Sequence, residues 1–270
     1  MLVEQMIVLA LIQGITEFLP ISSSGHLILV PWLTGWADQG LIVDVMVHLG
    51  SLAAILVYFR RDVAALIAGA INLLRGRPSR DGWLAVYIAL ATIPAVLFGI
   101  FAKESGLIDS VRGPEIVAWN AIIFGLLMLA ADWLSPMIKR VEEMTLGPAL
   151  IIGVAQALAI IPGTSRSGVT ITAARAMGFT RPEAARFSFL LGIPAIAGAG
   201  VLVLGEAIEA GEPIASDALI TGALTFFSAL AAIAFLMAVL RRISLLPFVL
   251  YRLALAGVLF WMMSSGWLPT

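Results

Sequence analysis

The sequence predicts an all-α polytopic integral membrane protein, a single membrane domain over residues 1–270, and three observations predict it. The first is composition: 61% of the 270 residues are apolar, only 12% are charged, and the mean hydropathy is +1.04. A soluble domain carries about 25% charged residues, and this chain lacks the polar surface to cover a water-soluble sphere. The second is a set of six windows long and apolar enough to cross a bilayer, which takes about 20 residues of helix. The third is a pair of apolar stretches broken near their centres, because broken helices at membrane depth survive only where they line a cavity or are buried in protein. Soluble enzymes and disordered chains are excluded, and with no cysteine so are disulfide scaffolds and thiolate zinc sites. A net charge of −1 offers no field for nucleic acid, which leaves lipid, ions and small solutes as partners.

The elements follow in order. Stretch 2–33 opens with Glu4 rather than basic residues, so it reads as mature protein, and it is interrupted at Pro20-Ile-Ser-Ser-Ser-Gly25. Span 41–59 carries Asp44 and His48. The segment 60–82 holds Arg60, Arg61, Arg75, Arg77 and Arg80; its portion 62–74 fits either an interfacial helix or part of a longer bent one. Spans 83–102 and 116–134 come next, then a loop with Lys139 and Arg140. Stretch 146–177 is interrupted at Pro162-Gly-Thr-Ser-Arg-Ser-Gly168, and Arg175, Arg181 and Arg186 follow it. Spans 187–204, 218–240 and 245–267 complete the chain, with Arg241 and Arg242 between the last two and Arg252 inside the last. Short loops rich in Arg and Lys stay in the cytoplasm. The intervening loops fit the other side: 103–115 has only Lys103 and Arg112, and 205–217 has Glu206, Glu209, Glu212 and Asp217 with no Lys or Arg. Six crossings then put both termini outside.

An offset of 142 aligns Pro20 with Pro162, Ser23 with Ser165 and Gly50 with Gly192. Each half is then one broken hairpin plus three spans, repeat 1 at about 1–135 and repeat 2 at about 146–268. Three is odd, so the second repeat starts on the opposite face and the two hairpin tips meet near the midplane.

Gln13 and Glu17, four apart, share a helix face just before the first break. Beyond it Ser22, Ser23 and Ser24 open a new helix with His26 in its first turn, and the free N–H groups of such an end attract anions. Ser165, Arg166, Ser167 and Thr170 repeat that design and add a guanidinium suited to phosphate. Serines in membrane helices often serve only packing. Glu17 and Arg166 read as functional, because intramembrane charge costs at least about 2.5–3.5 kcal/mol; their structural alternative is a mutual ion pair. Asp44 and His48 read as structural, and Arg252 as neutralising Asp44 or Asp132.

The strings Gln13-Gly-Ile-Thr-Glu17-Phe-Leu-Pro-Ile-Ser-Ser-Ser-Gly-His26 and Pro162-Gly-Thr-Ser-Arg-Ser-Gly-Val-Thr170 closely resemble the two signature motifs of the bacterial undecaprenyl-diphosphate phosphatase (BacA/UppP) family, and Pro247-Phe-Val-Leu-Tyr-Arg252 resembles its C-terminal motif. The resemblance covers essentially the whole chain. It implies an inverted-repeat helical fold in the bacterial plasma membrane that removes the terminal phosphate of a polyprenyl diphosphate lipid at the outer face, with a divalent cation. Glu17, Ser23, His26, Ser165, Arg166 and Thr170 fall on family functional positions, and Gln13 stands where many members have Glu. On this reading Arg166 clamps phosphate. Glu17, with Gln13, holds Mg²⁺ or Ca²⁺, and either Ser23 with His26 as its base or an activated water attacks. Ser22, Ser24 and Ser167 complete the phosphate-binding set. A homodimer is compatible with such an enzyme. The rival class, which inverted repeats also suit, is a transporter or flippase of a phosphorylated lipid or other anion.

Overall fold

The structure, a computed structural model, describes residues 1–111, 113–210 and 215–268. Arg112 and Glu212, counted above in their loops, lie outside the described residues. The order is α1 (Val3–Thr16), α2 (Ser23–Thr34), α3 (Leu41–Tyr58), α4 (Arg60–Leu74), α5 (Arg80–Glu104), the single turn α6 (Leu107–Ser110), α7 (Pro114–Leu134), α8 (Leu146–Ala157), α9 (Arg166–Ala176), α10 (Arg181–Glu209), α11 (Ser216–Val239) and α12 (Leu246–Ser264). Short 3₁₀ turns at Val141–Glu143 and Leu158–Ile160 precede and follow α8. No β-strand is present among the described residues.

Helices α3, α5, α7, α10, α11 and α12 are long and apolar enough to span a membrane, as the six windows predict. Their starts follow local rules: Ser79 caps α5 by accepting from the Gly82 N–H at 3.1 Å, and proline occupies the first turn of α7, α10 and α12, where its missing N–H costs nothing. Segment 60–74 is a helix of its own, set off from α3 by the single residue Phe59.

The loops gather at two ends, as their charges predict. At one end Arg186 joins Asp62 and Glu142, while Asp132 accepts from Arg175, Arg181 and the Leu245 N–H. This unites the four Arg-bearing segments. At the other end the N-terminal ammonium meets Asp217, and Lys103 meets Glu206. The first broken hairpin, α1–α2, starts from that second end. The second, α8–α9, starts from the Arg-rich end, where Lys139 N–H donates to the Gly178 carbonyl at 3.0 Å.

The largest helix pairing, α3 against α11, depends on two facing glycines, since a Cβ on Gly50 would strike the Gly222 carbonyl. Phe18, fully buried in the first break, packs edge-on against Phe189 of α10 with centroids 5.3 Å apart. That anchor fixes the neighbouring Glu17.

Candidate active site

Both breaks end in the same local structure. Ser22 and Ser165, the residues that cap α2 and α9, have φ of 79° and 72°, left-handed values uncommon for residues other than glycine. Each hydroxyl accepts from a glycine N–H three residues on, Gly25 at 3.4 Å and Gly168 at 3.1 Å. Ser24 and Ser167 each place a hydroxyl 3.4 Å from the cap oxygen. The caps therefore correspond at an offset of 143, as do the buried Gln13 and Gln156, one more than the 142 that aligns the prolines. The second break holds one more residue between proline and cap than the first. Strained backbone of this kind persists where the surroundings over-determine it, and such places cluster at functional sites.

The tips touch. Ser167 donates to the Leu19 carbonyl at 3.3 Å, and Arg166 reaches across to Glu17 at 2.8 Å. Glu17, 6% exposed, is the centre of the cluster. Its Oε2 accepts from Ser23 at 2.7 Å and from the Gln13 amide at 3.1 Å, and His48 Nε2 lies 3.8 Å from the same oxygen. Arg166 also donates to the Ser188 carbonyl at 3.0 Å, lying over Gly192, where a Cβ would occupy the guanidinium's place. Thr170 holds this wall together, donating to the Arg166 carbonyl at 2.8 Å and meeting the Ser188 hydroxyl at 2.6 Å.

A cavity of about 350 Å³ opens on the cluster. Its polar floor is Glu17, Ser23, Ser24, Ser165 and Arg166, with Asp44 and His48 to one side. Leu41 and Val45 of α3 and Ile196 and Val203 of α10 make apolar walls. The first turn of α9 also presents N–H groups without intrahelical partners, an arrangement suited to anions.

His26 is placed differently from the expectation that paired it with Ser23. Its Nδ1 donates to the Ser22 carbonyl at 2.7 Å, so Nε2 is left to accept from the Tyr251 hydroxyl at 2.6 Å, with the two rings stacked. The proton of Ser23 points at Glu17 instead. Arg252 does not neutralise Asp132, which is satisfied by Arg175 and Arg181; its own donors go to backbone carbonyls.

Among the described residues no three His, Cys, Asp or Glu side chains form a metal cage. A hard cation that keeps water and takes substrate oxygens needs only one or two protein carboxylates. Glu17 meets that need, and beside it the buried Gln13 Oε1 has no hydrogen-bond partner, leaving a carbonyl oxygen for such an ion. The donor set fits Mg²⁺ or Ca²⁺.

Residues 6–258 match the family of the bacitracin resistance protein BacA. The chain belongs to the BacA family. Among its relatives, the undecaprenyl-diphosphatase of Erythrobacter litoralis is 50% identical over 94% of this chain and 97% of its own length. The undecaprenyl-diphosphatase of Ruegeria pomeroyi is 49% identical over 94% of this chain and 96% of its own, and that of a Jannaschia species 47% over 93% and 95%. Within this BacA-family site, three residues lie beside the expected set: Asp44 and His48, read from the sequence as structural, and Ser188. His48 and Asp44 line the cavity although they sit in an unbroken span; their signal was intramembrane ionisable character, outweighed by the lack of a motif. Ser188, the support of Arg166 and Thr170, carries no signal in a helix full of small residues.

Proposed function

We propose that this chain is an undecaprenyl-diphosphatase of the plasma membrane, releasing inorganic phosphate and undecaprenyl phosphate and so recycling a cell-wall lipid carrier. The observation that carries the reading is the Ser23–Glu17–Arg166 chain at the floor of an apolar-walled cavity. A diphosphate needs charge neutralisation and in-line attack, and the walls suit a polyprenyl tail. In the resting site Arg166 is held by Glu17. A terminal phosphate is a competing, more highly charged partner, and takes the guanidinium together with the N–H groups at the start of α9. Glu17 is thereby released to accept the Ser23 proton as Oγ attacks the terminal phosphorus. The bond to the bridging oxygen breaks and the lipid monophosphate leaves, and water then hydrolyses the phosphoserine. The same carboxylate activates a water directly if Ser23 only positions it. A divalent cation held by Glu17 and Gln13 would supply further charge neutralisation on the phosphate oxygens.

Two arrangements support the remaining parts of the reading. The hairpins start from opposite ends and share a local cap geometry, which supports an inverted repeat. The cavity is walled by the first turns of α3 and the later half of α10, both toward the end poor in basic residues, which supports a mouth on the outer face. A second copy of the chain is compatible with the apolar outer faces.

The test is phosphate release from undecaprenyl diphosphate by detergent-purified protein, with and without EDTA. We expect cation-dependent release, lowered at least about 100-fold by Arg166→Ala. Ser23→Ala is expected to abolish release if its oxygen is the nucleophile and to spare part of it if water is. No release by folded wild-type protein with metal present overturns the reading and favours the transporter.

A further inference from the structure

Arg252, like Arg175, spends every donor it has on hydrogen bonds, and it has no place in the mechanism above. It is 1% exposed, in the middle of α12. A guanidinium has five N–H donors, and all five are spent on backbone carbonyls. Nε donates to Ala121 at 3.1 Å; Nη1 to Pro20 at 3.3 Å and Thr164 at 3.1 Å; Nη2 to Asn120 at 2.9 Å and Gly163 at 2.8 Å. None is left for a carboxylate. A buried charge is expensive, and a neutral side chain would fill the same space at less cost. What the rigid, planar fork gives in return is geometry.

The five carbonyls come from three places: α7, the first break at Pro20, and the second break at Gly163 and Thr164. One side chain therefore spans both tips. Its approach is built in, since a Cβ on Gly168 would come within 3.2 Å of Nη1. A second support lies alongside: the Asn120 side chain donates to the Pro162 carbonyl at 2.8 Å, so α7 holds the second break directly as well as through Arg252. The Thr164 carbonyl belongs to the same planar peptide group as the Ser165 N–H, and in a trans peptide the two point opposite ways. Drawing that carbonyl to Arg252 aims the Ser165 N–H to the other side, and Ser165 lines the cavity.

We propose that Arg252 is a positioning residue for phosphoryl transfer. It fixes the tip that bears Glu17 and Ser23 against the tip that bears Ser165 and Arg166, so that attacking group and phosphate clamp meet one phosphorus. Misplacement of about 1 Å between such groups costs about 100-fold in rate. Binding, by contrast, depends on the clamp within one tip and on the lipid walls. Loosening the fork therefore lowers kcat more than it raises KM. The proposal rests on the phosphatase reading.

The experiment measures kcat and KM for phosphate release from undecaprenyl diphosphate, normalised to monodisperse folded protein, for wild type, Arg252→Lys, Asn120→Ala and Arg175→Lys. Arg252→Lys keeps the charge but not the fork, and is expected to lose at least tenfold in kcat with KM within threefold. Asn120→Ala, which leaves the guanidinium in place, is expected to lose threefold to tenfold in kcat. Arg175→Lys weakens an equally buried arginine remote from the cavity, and is expected to melt earlier while its folded fraction turns over at the wild-type kcat. The proposal is overturned if folded Arg252→Lys keeps kcat within twofold, or if its loss lies in KM alone. It is also overturned if Arg175→Lys loses kcat to the same degree. Should Arg252→Lys fail to fold, Asn120→Ala decides, and an unchanged kcat there overturns the proposal. Wild-type protein without release would instead indict the phosphatase reading itself.

Discussion

A β-carbon on Gly192 has room for itself only if the Arg166 guanidinium leaves, because its nearest neighbours are the three terminal atoms of that side chain. The end of an arginine moves more cheaply than backbone, so Gly192→Ala does not unfold the protein. In the middle of α10 it even gains up to about 1 kcal/mol of helix propensity. What it removes is the placement of the phosphate clamp against Glu17 and the Ser188 carbonyl. We expect an unchanged or raised melting temperature with phosphate release lowered about 100-fold, the cost of such a misplacement. Wild-type turnover in Gly192→Ala would show that the observed guanidinium position is not the working one. At this scale charge and motif coincided at Glu17 and Arg166 and motif alone marked Ser23, and the structure brings the three side chains into contact. The sequence was illegible for His26, whose two ring nitrogens are taken by the Ser22 carbonyl and the Tyr251 hydroxyl 225 positions away, a contact no local pattern announces.

Helix pairing makes the opposite demand on glycine. A Cβ on Gly50 meets the Gly222 carbonyl, and a Cβ on Gly222 meets that of Met46 at 2.7 Å, so α3 and α11 touch backbone to backbone. Without a hydrophobic drive between helices in lipid, such close approach is a main source of association. Backbone cannot swing aside, so Gly50→Ala forces the helices apart at an expected cost of about 1–3 kcal/mol, read as a lower melting temperature in detergent. No shift would mean the pair tolerates separation. The Arg-rich end is joined differently, by Arg186 linking α4, α10 and the turn at Glu142. The hydrogen bond from Arg186 holds the Glu142 carboxyl below its ordinary value, with burial opposing in part. A carboxyl depressed by folding stabilises at pH above its unfolded value, and that contribution is lost as pH falls through the folded value. The stability gap between wild type and Glu142→Gln is thus expected to close as pH falls below the ordinary glutamate value of about 4.3. With Glu142 40% exposed the gap stays below about 1 kcal/mol. A gap that widens on acidification would contradict the assignment.

For the whole molecule, hydropathy and loop charge were enough to lay out six spans and two ends, because each span must hide its own backbone and each short loop keeps its arginines. Segment 60–74 stayed ambiguous for a physical reason: at 15 residues it is too short to cross and too apolar to be a loop, and only its packing on α5 settles it as a helix. The two breaks were visible as a pair, but their caps, Ser22 and Ser165, correspond at an offset of 143 rather than the 142 that aligns the prolines, because the second break holds one extra residue that the cap geometry absorbs. The ends carry the last prediction. Arg60, Arg61, Arg75, Arg77 and Arg80 share one end with Lys139, Arg140 and Arg186, whereas the described residues of loop 103–115 hold a single Lys103, already paired with Glu206. If the positive-inside rule holds for these loops, the mouth of the cavity is expected on the outer face, as proposed above. The chain has no cysteine, so single substitutions report on sidedness without background. In spheroplasts, a membrane-impermeant maleimide is expected to label Ser105→Cys directly and Arg77→Cys only after permeabilisation. The reverse pattern would turn the molecule over, set the cavity to face the cytoplasm, and require the substrate to be hydrolysed before it leaves the inner leaflet.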